Sequence, residues 1–280
     1  MEKAIKRYFP IFVLPTMIAF TLGFIIPFAE GVYLSFCKFT TVNDAKFIGL
    51  SNYAKVFKDS TFVHAFWYTA AFTVVSVILI NVLAFAVALL LTKGIKGTNV
   101  FRTVFFMPNL IGGIVLGYIW QLLLNGILMK FSRTLTYSST FGFWGLVILM
   151  CWQQIGYMMI IYIAGIQNIP GELIEAAEID GATKRQVLKS VTIPMVMPSI
   201  TVCTFLTMTN SFKLFDQNLA LTNGEPSKIS EMLTLNIFTT FYGRAGYEGV
   251  GQAKAVIFFI LVAAIALTQN YLTRRKEVQQ

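Results

Sequence analysis

Six long apolar segments dominate this sequence and restrict the folds that it can adopt. Short polar segments separate them, and they cover residues 9–29, 65–91, 104–124, 141–166, 195–212 and 255–272. An α-helix needs about 20 consecutive apolar residues to cross the hydrocarbon of a bilayer, and each segment meets or approaches that length. We therefore predict an all-α, polytopic membrane protein in which residues 1–280 form a single domain with six transmembrane helices.

The composition agrees with a membrane protein and excludes a soluble one. Apolar residues make up 56% of the 280 residues and charged residues only 12%, and the mean hydropathy is +0.69. A net charge of +9 would suggest nucleic-acid binding in a soluble protein. The basic residues here lie in short loops between apolar segments, where they set topology instead, so we expect no nucleic-acid partner.

The basic residues also predict the orientation of the chain. Twelve of the 22 Lys and Arg residues lie at the two termini, in the loop between segments two and three, and in the loop between segments four and five. Because Lys and Arg concentrate on the cytoplasmic side, we expect both termini and these loops to be cytoplasmic. Lys3, Lys6 and Arg7 precede the first apolar segment as in a signal peptide, but no small-residue cleavage site follows, so we expect a retained first span.

The sequence contains no recognisable catalytic or cofactor site. Cys37, Cys151 and Cys203 show no metal-binding or redox spacing and are interpreted as packing residues, and His64 has no His or Cys close by in the sequence. No Gly-x-x-x-x-Gly-Lys-Ser/Thr sequence occurs, so the chain cannot hold nucleotide phosphates in a P-loop. We therefore expect a chain that is not an enzyme and that binds no metal or cofactor itself.

The longest charged, helix-forming segment is residues 170–194, which we call the elbow. Pro170 suits the first turn of a helix, and Gly181 suits the turn that ends it. Thr183 followed by Gln186 has the form of a capping box that would open a second helix, which Pro194 would end. The sequence therefore predicts two short helices joined by a turn.

The elbow carries acidic residues in its first half and basic residues in its second half. This pattern is suited to docking against a protein surface, but an amphipathic loop that is simply solvated between two membrane helices would look similar. A resemblance decides between these two interpretations. Glu175-Ala176-Ala177, followed by Asp180-Gly181-Ala182, resembles the EAA loop of ABC importer permeases. That loop inserts into a groove of the cytoplasmic ATPase. Val191 and Ile193 stand where the family usually has Ile and Leu, and both keep an apolar side chain.

The resemblance extends over nearly the whole chain. Segments similar to signatures of the carbohydrate-uptake branch of these permeases occupy residues 47–53, 102–108, 164–170, 215–216 and 221–226. The chain departs from the family at Glu225, where Gly is common, and in residues 125–140, which lack a frequent Trp-Leu pattern. Neither departure concerns residues that we assign to transport.

The resemblance implies a type I ABC importer fold in a bacterial or archaeal cytoplasmic membrane. It also implies four kinds of partner: a second permease subunit, two cytoplasmic ATPase subunits, an extracellular or periplasmic solute-binding protein, and a sugar substrate. ATP and Mg would be bound by the ATPase subunits. Glu175, Ala176, Ala177, Asp180, Gly181 and Ala182 would couple this chain to them.

Polar side chains within the apolar segments are the candidates for substrate contacts. Such groups are costly at membrane depth unless they pair or line a wet cavity. Amides and hydroxyls suit the hydroxyl groups of a sugar, and aromatic rings suit its C–H faces. The alternative is that Ser, Thr and Asn only form hydrogen bonds between helices. The candidate residues are Gln154, Tyr157, Thr207, Asn210 and Ser211, together with Leu214, which lies one helical turn beyond the polar face of the fifth segment.

Three functional hypotheses follow. The first is an ABC permease for a sugar or oligosaccharide, or alternatively for glycerol phosphate or a related polyol. The second, an ion-coupled secondary transporter, is disfavoured because the apolar segments carry almost no ionisable residues away from their ends and show no internal repeat. The third, an intramembrane enzyme, lacks a nucleophile and base pair.

Overall fold

The computed structural model describes residues 2–274. The first part of the chain contains α1 (Glu2–Phe20), α2 (Ile26–Leu34), β1 (Cys37–Lys38), β2 (Lys46–Phe47), α3 (Ser51–Lys58), α4 (Ser60–Leu91), α5 (Thr98–Phe106) and α6 (Gly113–Leu128). The second part contains α7 (Ser139–Gln167), α8 (Gly171–Ile179), α9 (Lys184–Val187), α10 (Ile193–Met195), α11 (Met197–Phe212), α12 (Asp216–Leu221), α13 (Leu233–Gly243) and α14 (Glu248–Arg274). The predicted all-α class is therefore confirmed, with one short β-hairpin added.

Among the described residues, five helical stretches are long and apolar enough to cross a membrane. These are Ile11–Leu34, Ser60–Leu91, Gly113–Phe131, Ser139–Gln167 and Glu248–Gln269. Two further stretches, Lys184–Met195 and Met197–Phe212, pass the same test only when taken together, and they meet at an angle of 68°. The structure thus has six spans if this bent pair counts as one. The bend lies at the start of the fifth predicted segment, residues 195–212.

The third span differs from its predicted bounds of 104–124. Pro108 lies in a 3-10 turn, Met107–Leu110, that separates α5 from α6, and the long helix begins only at Gly113. Proline cannot donate the backbone hydrogen bond that would continue a helix. The apolar residues just before Pro108 therefore belong to the short helix α5 and not to the span.

The second helix of the elbow also differs from its prediction. We expected Pro194 to end it, but the chain stays helical from Lys184 to Met195 through a π-helical turn at Leu188–Thr192. Pro194 lies in α10, directly after this π-helical turn, so the helix continues through the proline. The change of direction comes at Val196, before α11.

By its internal contacts the chain divides into two compact units. Unit 1 comprises Met1–Ser60 and Ile237–Ile260, and unit 2 comprises Thr61–Asn236 and Leu261–Gln280. The single domain over residues 1–280 stays a prediction.

Unit 1 is built around polar contacts as well as apolar packing. The buried amide of Asn52, at the start of α3, donates hydrogen bonds of 2.9 Å and 2.8 Å to the carbonyls of Ser35 and Cys37. These contacts hold the β-hairpin, in which Cys37 pairs with Phe47, against α3. Phe39 packs edge-on against Phe241 beside it.

Unit 2 is organised around α7, which contributes more buried residues to its core than any other helix. α5 and α7 approach each other closely at Gly156, because a Cβ atom there would overlap with the backbone carbonyl of Phe105 on α5. α6 packs against α12, and Gln121 of α6 donates a hydrogen bond of 3.0 Å to the carbonyl of Leu221. α4, α7 and α11 meet at Asn81, which accepts a 2.7 Å hydrogen bond from the hydroxyl of Tyr162.

Candidate functional site

A polar cavity of about 360 Å³ lies in unit 2, where α11 ends and α12 begins. α7 contributes one wall, the turn before α6 another, and the α11–α12 junction a third. The lining residues are Asn109, Met150, Gln153, Gln154, Asn210, Lys213, Leu214, Phe215, Asp216 and Gln217. Interrupted helices with a polar cavity at membrane depth are typical of substrate sites in transporters.

The break between α11 and α12 leaves backbone groups without helical partners. α11 ends at Phe212, and α12 begins at Asp216, so the backbone of residues 213–215 is not helical. The hydroxyl of Thr234 donates a 2.6 Å hydrogen bond to the carbonyl of Leu214 and so satisfies one of the freed groups. Non-helical backbone at this depth is tolerated where protein or a wet cavity supplies partners.

The amide side chains around the cavity are hydrogen-bonded to one another. Gln217 Nε2 donates to Gln153 Oε1 at 2.8 Å, and Gln153 Nε2 donates to the carbonyl of Ile111 at 3.4 Å. Asn210 Nδ2 donates to Gln154 Oε1 at 3.4 Å. Each amide can make up to four hydrogen bonds, so these contacts leave donors and acceptors for a ligand.

One cation and one anion also line the cavity. Lys213 is exposed, and Asp216, three residues on, is half-buried at the start of α12. The side chain of Asp216 lies close to Gly113, where a Cβ atom would come within 2.7 Å of the Asp216 Cβ. The formal charges of the two residues cancel, so the lining carries amide dipoles and no net charge.

Three of the six predicted substrate-pathway residues line this cavity, namely Gln154, Asn210 and Leu214. The other three do not. Thr207 is buried one turn below Asn210 and donates a 2.7 Å hydrogen bond to the carbonyl of Cys203.

The remaining two differ from each other. Ser211 is fully buried, and its hydroxyl has no hydrogen-bond partner in the described part of the chain. Tyr157 is half-buried and its ring lies 6.3 Å from that of Phe106. Tyr157 therefore contacts α5 from a position outside the cavity.

Asn109, Gln217 and Lys213 were not predicted to belong to the site. Asn109 directly follows the family-like segment 102–108, and Gln217 directly follows the family-like pair Phe215-Asp216. Both residues therefore lie beside motifs that we used only for the resemblance. Sequence spacing cannot bring these residues together, because Asn109 and Gln217 belong to separate helices and meet only through the packing of α6 against α12.

The elbow forms the second candidate site, and its local geometry matches the predicted turn. α8 ends at Ile179, and Gly181 adopts a left-handed conformation with φ of 80°. The predicted capping box is confirmed: Gln186 N donates to Thr183 Oγ1 at 3.4 Å, and Thr183 N donates to Gln186 Oε1 at 2.8 Å.

The predicted coupling residues lie on the surface of the elbow. Glu175, Ala176 and Asp180 are exposed, and Ala177 and Ala182 are half-buried. The apolar side chain of Ile179 is 86% exposed at the end of α8. These side chains are therefore accessible to a partner.

The chain is similar to known proteins along most of its length. Its residues 84–278 match the family described as "Binding-protein-dependent transport system inner membrane component". A probable starch degradation products transport system permease protein, AmyD of Thermoanaerobacterium thermosulfurigenes, is 43% identical over 96% of this chain and 94% of that protein. The multiple sugar-binding transport system permease protein MsmF of Streptococcus mutans is 28% identical over 99% of both chains.

Solved structures support the same fold. A chain from a bacterial ABC transporter involved in import of the acidic polysaccharide alginate superposes with a TM-score of 0.82 over 98% of both chains, at 21% identity. A chain of the MetNI methionine ABC transporter gives 0.57 over 78% of this chain. The type I importer fold is thus confirmed, in a multi-pass transport subunit rather than an enzyme. With a family match over 84–278 and a relative 43% identical over nearly its full length, this chain belongs to the inner membrane components of binding-protein-dependent transport systems.

Proposed function

We propose that this chain is the permease subunit of an ATP-driven importer for an uncharged sugar or oligosaccharide. The observation that carries the proposal is the amide-lined cavity at the break between α11 and α12. Amides both donate and accept hydrogen bonds, as sugar hydroxyls require. The names of AmyD and MsmF, which refer to starch degradation products and to multiple sugars, agree with this chemistry.

The charges of the cavity favour an uncharged substrate over glycerol phosphate. Lys213 alone could attract a phosphate, but Asp216 lies three residues away in the same lining. A dianionic phosphate would be repelled by that carboxylate, whereas a neutral polyol can accept a hydrogen bond from the lysine and donate one to the aspartate.

The proposed coupling surface is the elbow. In this proposal Glu175, Ala176, Ala177, Asp180, Gly181 and Ala182 dock on one of two cytoplasmic ATPase subunits, which bind ATP and Mg. A second permease subunit completes the pathway, and a solute-binding protein delivers the sugar from outside. The concentration of Lys and Arg at the termini and in the elbow supports a cytoplasmic location for these segments in a bacterial or archaeal cell membrane.

The test is uptake of radiolabelled maltotriose by proteoliposomes that contain the full importer: this chain, its partner permease, the ATPase and the binding protein. Maltotriose is the first probe because it is a product of starch degradation. We expect uptake that requires internal ATP and survives dissipation of the ion gradients by an uncoupler. Uptake that follows the gradients instead would support the secondary-transporter hypothesis, and uptake of glycerol phosphate but of no sugar would overturn the substrate class.

A further inference from the structure

The buried face of α4 changes character halfway along the helix. On this face, the C-terminal half of α4 is apolar, with Ile80, Ala84 and Ala88 fully buried. The N-terminal half carries three buried residues with hydroxyl groups, Thr69, Thr73 and Ser76, which are four and then three residues apart. Residues at these spacings share one face of a helix, so α4 presents a line of hydroxyl groups to the interior of unit 2.

Two of these hydroxyls lack a hydrogen-bond partner. Thr69 accepts a 2.9 Å hydrogen bond from the backbone N–H of Leu233. In contrast, within residues 2–274 no partner exists for Thr73 Oγ1 or Ser76 Oγ, although Thr73 is only 4% and Ser76 0% exposed. Ser211 on α11 is also fully buried and also lacks a partner. A buried hydroxyl without a partner is unfavourable, and each such group in a folded protein calls for an explanation.

Contacts between α4 and α7 place these groups at the depth of the cavity. The ring of Phe72 lies 6.1 Å from that of Phe143, and farther along both helices Asn81 is bonded to Tyr162. The two helices therefore run in the same direction, and Thr73 and Ser76 fall between these two contacts. The cavity residues of α7 between positions 150 and 154 fall between the same two contacts.

A contact between α4 and α11 places Ser211 at the same depth. Asn81 Nδ2 donates to Thr207 Oγ1 at 3.4 Å. Ser211 lies one helical turn beyond Thr207, next to Asn210, which lines the cavity. The unpartnered hydroxyls of α4 and α11 thus lie at the depth of the cavity, although they do not line it in this structure.

We propose that Thr73, Ser76 and Ser211 form a second polar wall of the translocation pathway that contacts sugar hydroxyls when the passage opens. The proposal rests on the proposed sugar-import function. It explains why the hydroxyls have no partner here: their partner is the substrate, in a conformation in which α4 and α11 separate. A hydroxyl suits a sugar because each can donate to and accept from the other.

The first test is the concentration dependence of maltotriose uptake by the full importer carrying Thr73→Val, Ser76→Ala or Ser211→Ala. We expect KM to rise about 2- to 10-fold for each, since one hydrogen bond is lost, while the yield and thermal stability of the complex stay unchanged or improve. The matched control is Thr201→Val, because the buried hydroxyl of Thr201 is bonded to the carbonyl of Met197 in its own helix. An unchanged KM in all three variants would overturn the proposal.

The second test asks whether Ser76 becomes accessible. Ser76→Cys is made in a background in which Cys37, Cys151 and Cys203 are replaced, and labelling with a small thiol reagent is followed during turnover. We expect labelling that requires ATP and is slowed by saturating maltotriose. No labelling, or labelling that maltotriose does not slow, would show that the residue packs against helices or water only. If wild-type importer takes up no sugar at all, the proposed function fails instead.

Discussion

The buried ammonium group of Lys254 on α14 donates a hydrogen bond of 2.7 Å to Oδ2 of Asp59, the residue that separates α3 from α4. A second bond of 2.7 Å goes to the hydroxyl of Thr240 on α13. Lys254 is 0% exposed and lies within a segment apolar enough to cross a membrane. Because a buried charge needs partners, these contacts hold three segments of unit 1 together.

We predict that Asp59→Ala destabilises the importer more than any loss of a surface charge would. Removing one partner leaves the lysine buried without its counter-charge, which costs about 3–5 kcal/mol. The measurement is the melting temperature and yield of the purified complex. The exposed neighbour Lys58 provides the control, and Lys58→Ala should have little effect. If the pair is the cause, adding Lys254→Met to Asp59→Ala should restore most of the loss, and a double variant as unstable as the single would contradict this.

Gly181→Val is expected to impair coupling in the elbow. The positive φ of 80° at this position is unfavourable for any residue with a Cβ, by roughly 1–2 kcal/mol, and more for a β-branched one. The turn that presents α8 should therefore be distorted. ATP hydrolysis that is stimulated by the binding protein would fall together with uptake. Gly171→Ala is a suitable control, because Gly171 begins α8 without a positive φ and has open space around it.

Glu175→Lys tests the proposed docking surface directly. The side chain is exposed on α8, so the change should leave the folding of this chain intact. If Glu175 pairs with a basic groove on the ATPase, reversal of its charge should weaken assembly or uncouple hydrolysis from uptake. Co-purification of the ATPase and its transport-linked activity report on these effects. Glu172→Lys on the same helix lies outside the Glu-Ala-Ala motif and should be milder. Wild-type rates for Glu175→Lys would remove the residue from the interface.

Features that depend on local chemistry could be predicted from the sequence. The turn at Gly181 and the capping box of Thr183 and Gln186 each need only a few neighbouring residues, and both are present in the structure. The long apolar spans follow from hydrophobicity in the same way. Pro108 and Pro194 were harder to interpret. The helical chain ends two residues after Pro108, whereas at Pro194 the helix that begins at Lys184 continues to Met195.

Features that depend on tertiary packing could not be predicted. No glycine or proline marks the break at residues 213–215, so nothing local indicates that α11 ends at Phe212 and α12 packs on α6. The cavity residues Asn109 and Gln217 become neighbours only through that packing. The partners of hydroxyl groups at membrane depth could not be predicted either. Thr207 and Ser211 share a helical face, yet Thr207 is bonded within its helix, whereas Ser211 has no partner among residues 2–274.

Gly156→Ala should prevent correct packing of α5 against α7. The added methyl group would overlap with backbone atoms of Phe105 and Phe106, which cannot move aside as a flexible side chain could. We expect a large loss of folded complex in the membrane. Gly126→Ala in α6 has open space and should be neutral or slightly stabilising, since alanine favours a helix. Equal yields of the two variants would show that α5 and α7 do not approach this closely.

Comparing Asn210→Leu with Tyr157→Ala distinguishes a residue that lines the cavity from one that packs outside it. Asn210 lines the cavity and donates to Gln154, whereas Tyr157 packs against Phe106 outside it. Leucine has the same branching and number of side-chain heavy atoms as asparagine but offers no hydrogen bond, and the open cavity can take its larger volume. Asn210→Leu should therefore preserve assembly and raise the KM for maltotriose about 5- to 150-fold, corresponding to about 1–3 kcal/mol.

Tyr157→Ala should show the opposite pattern, because it removes packing and no substrate contact. We expect lower yield and thermal stability, with uptake per intact complex close to wild type. Uptake normalised to the amount of assembled complex therefore distinguishes the two roles, and Tyr157→Phe, which keeps the ring, should behave as wild type in both measurements. A normalised rate equal to wild type for Asn210→Leu at every maltotriose concentration would remove Asn210 from the pathway. A raised KM for Tyr157→Ala would instead place the ring in contact with the substrate.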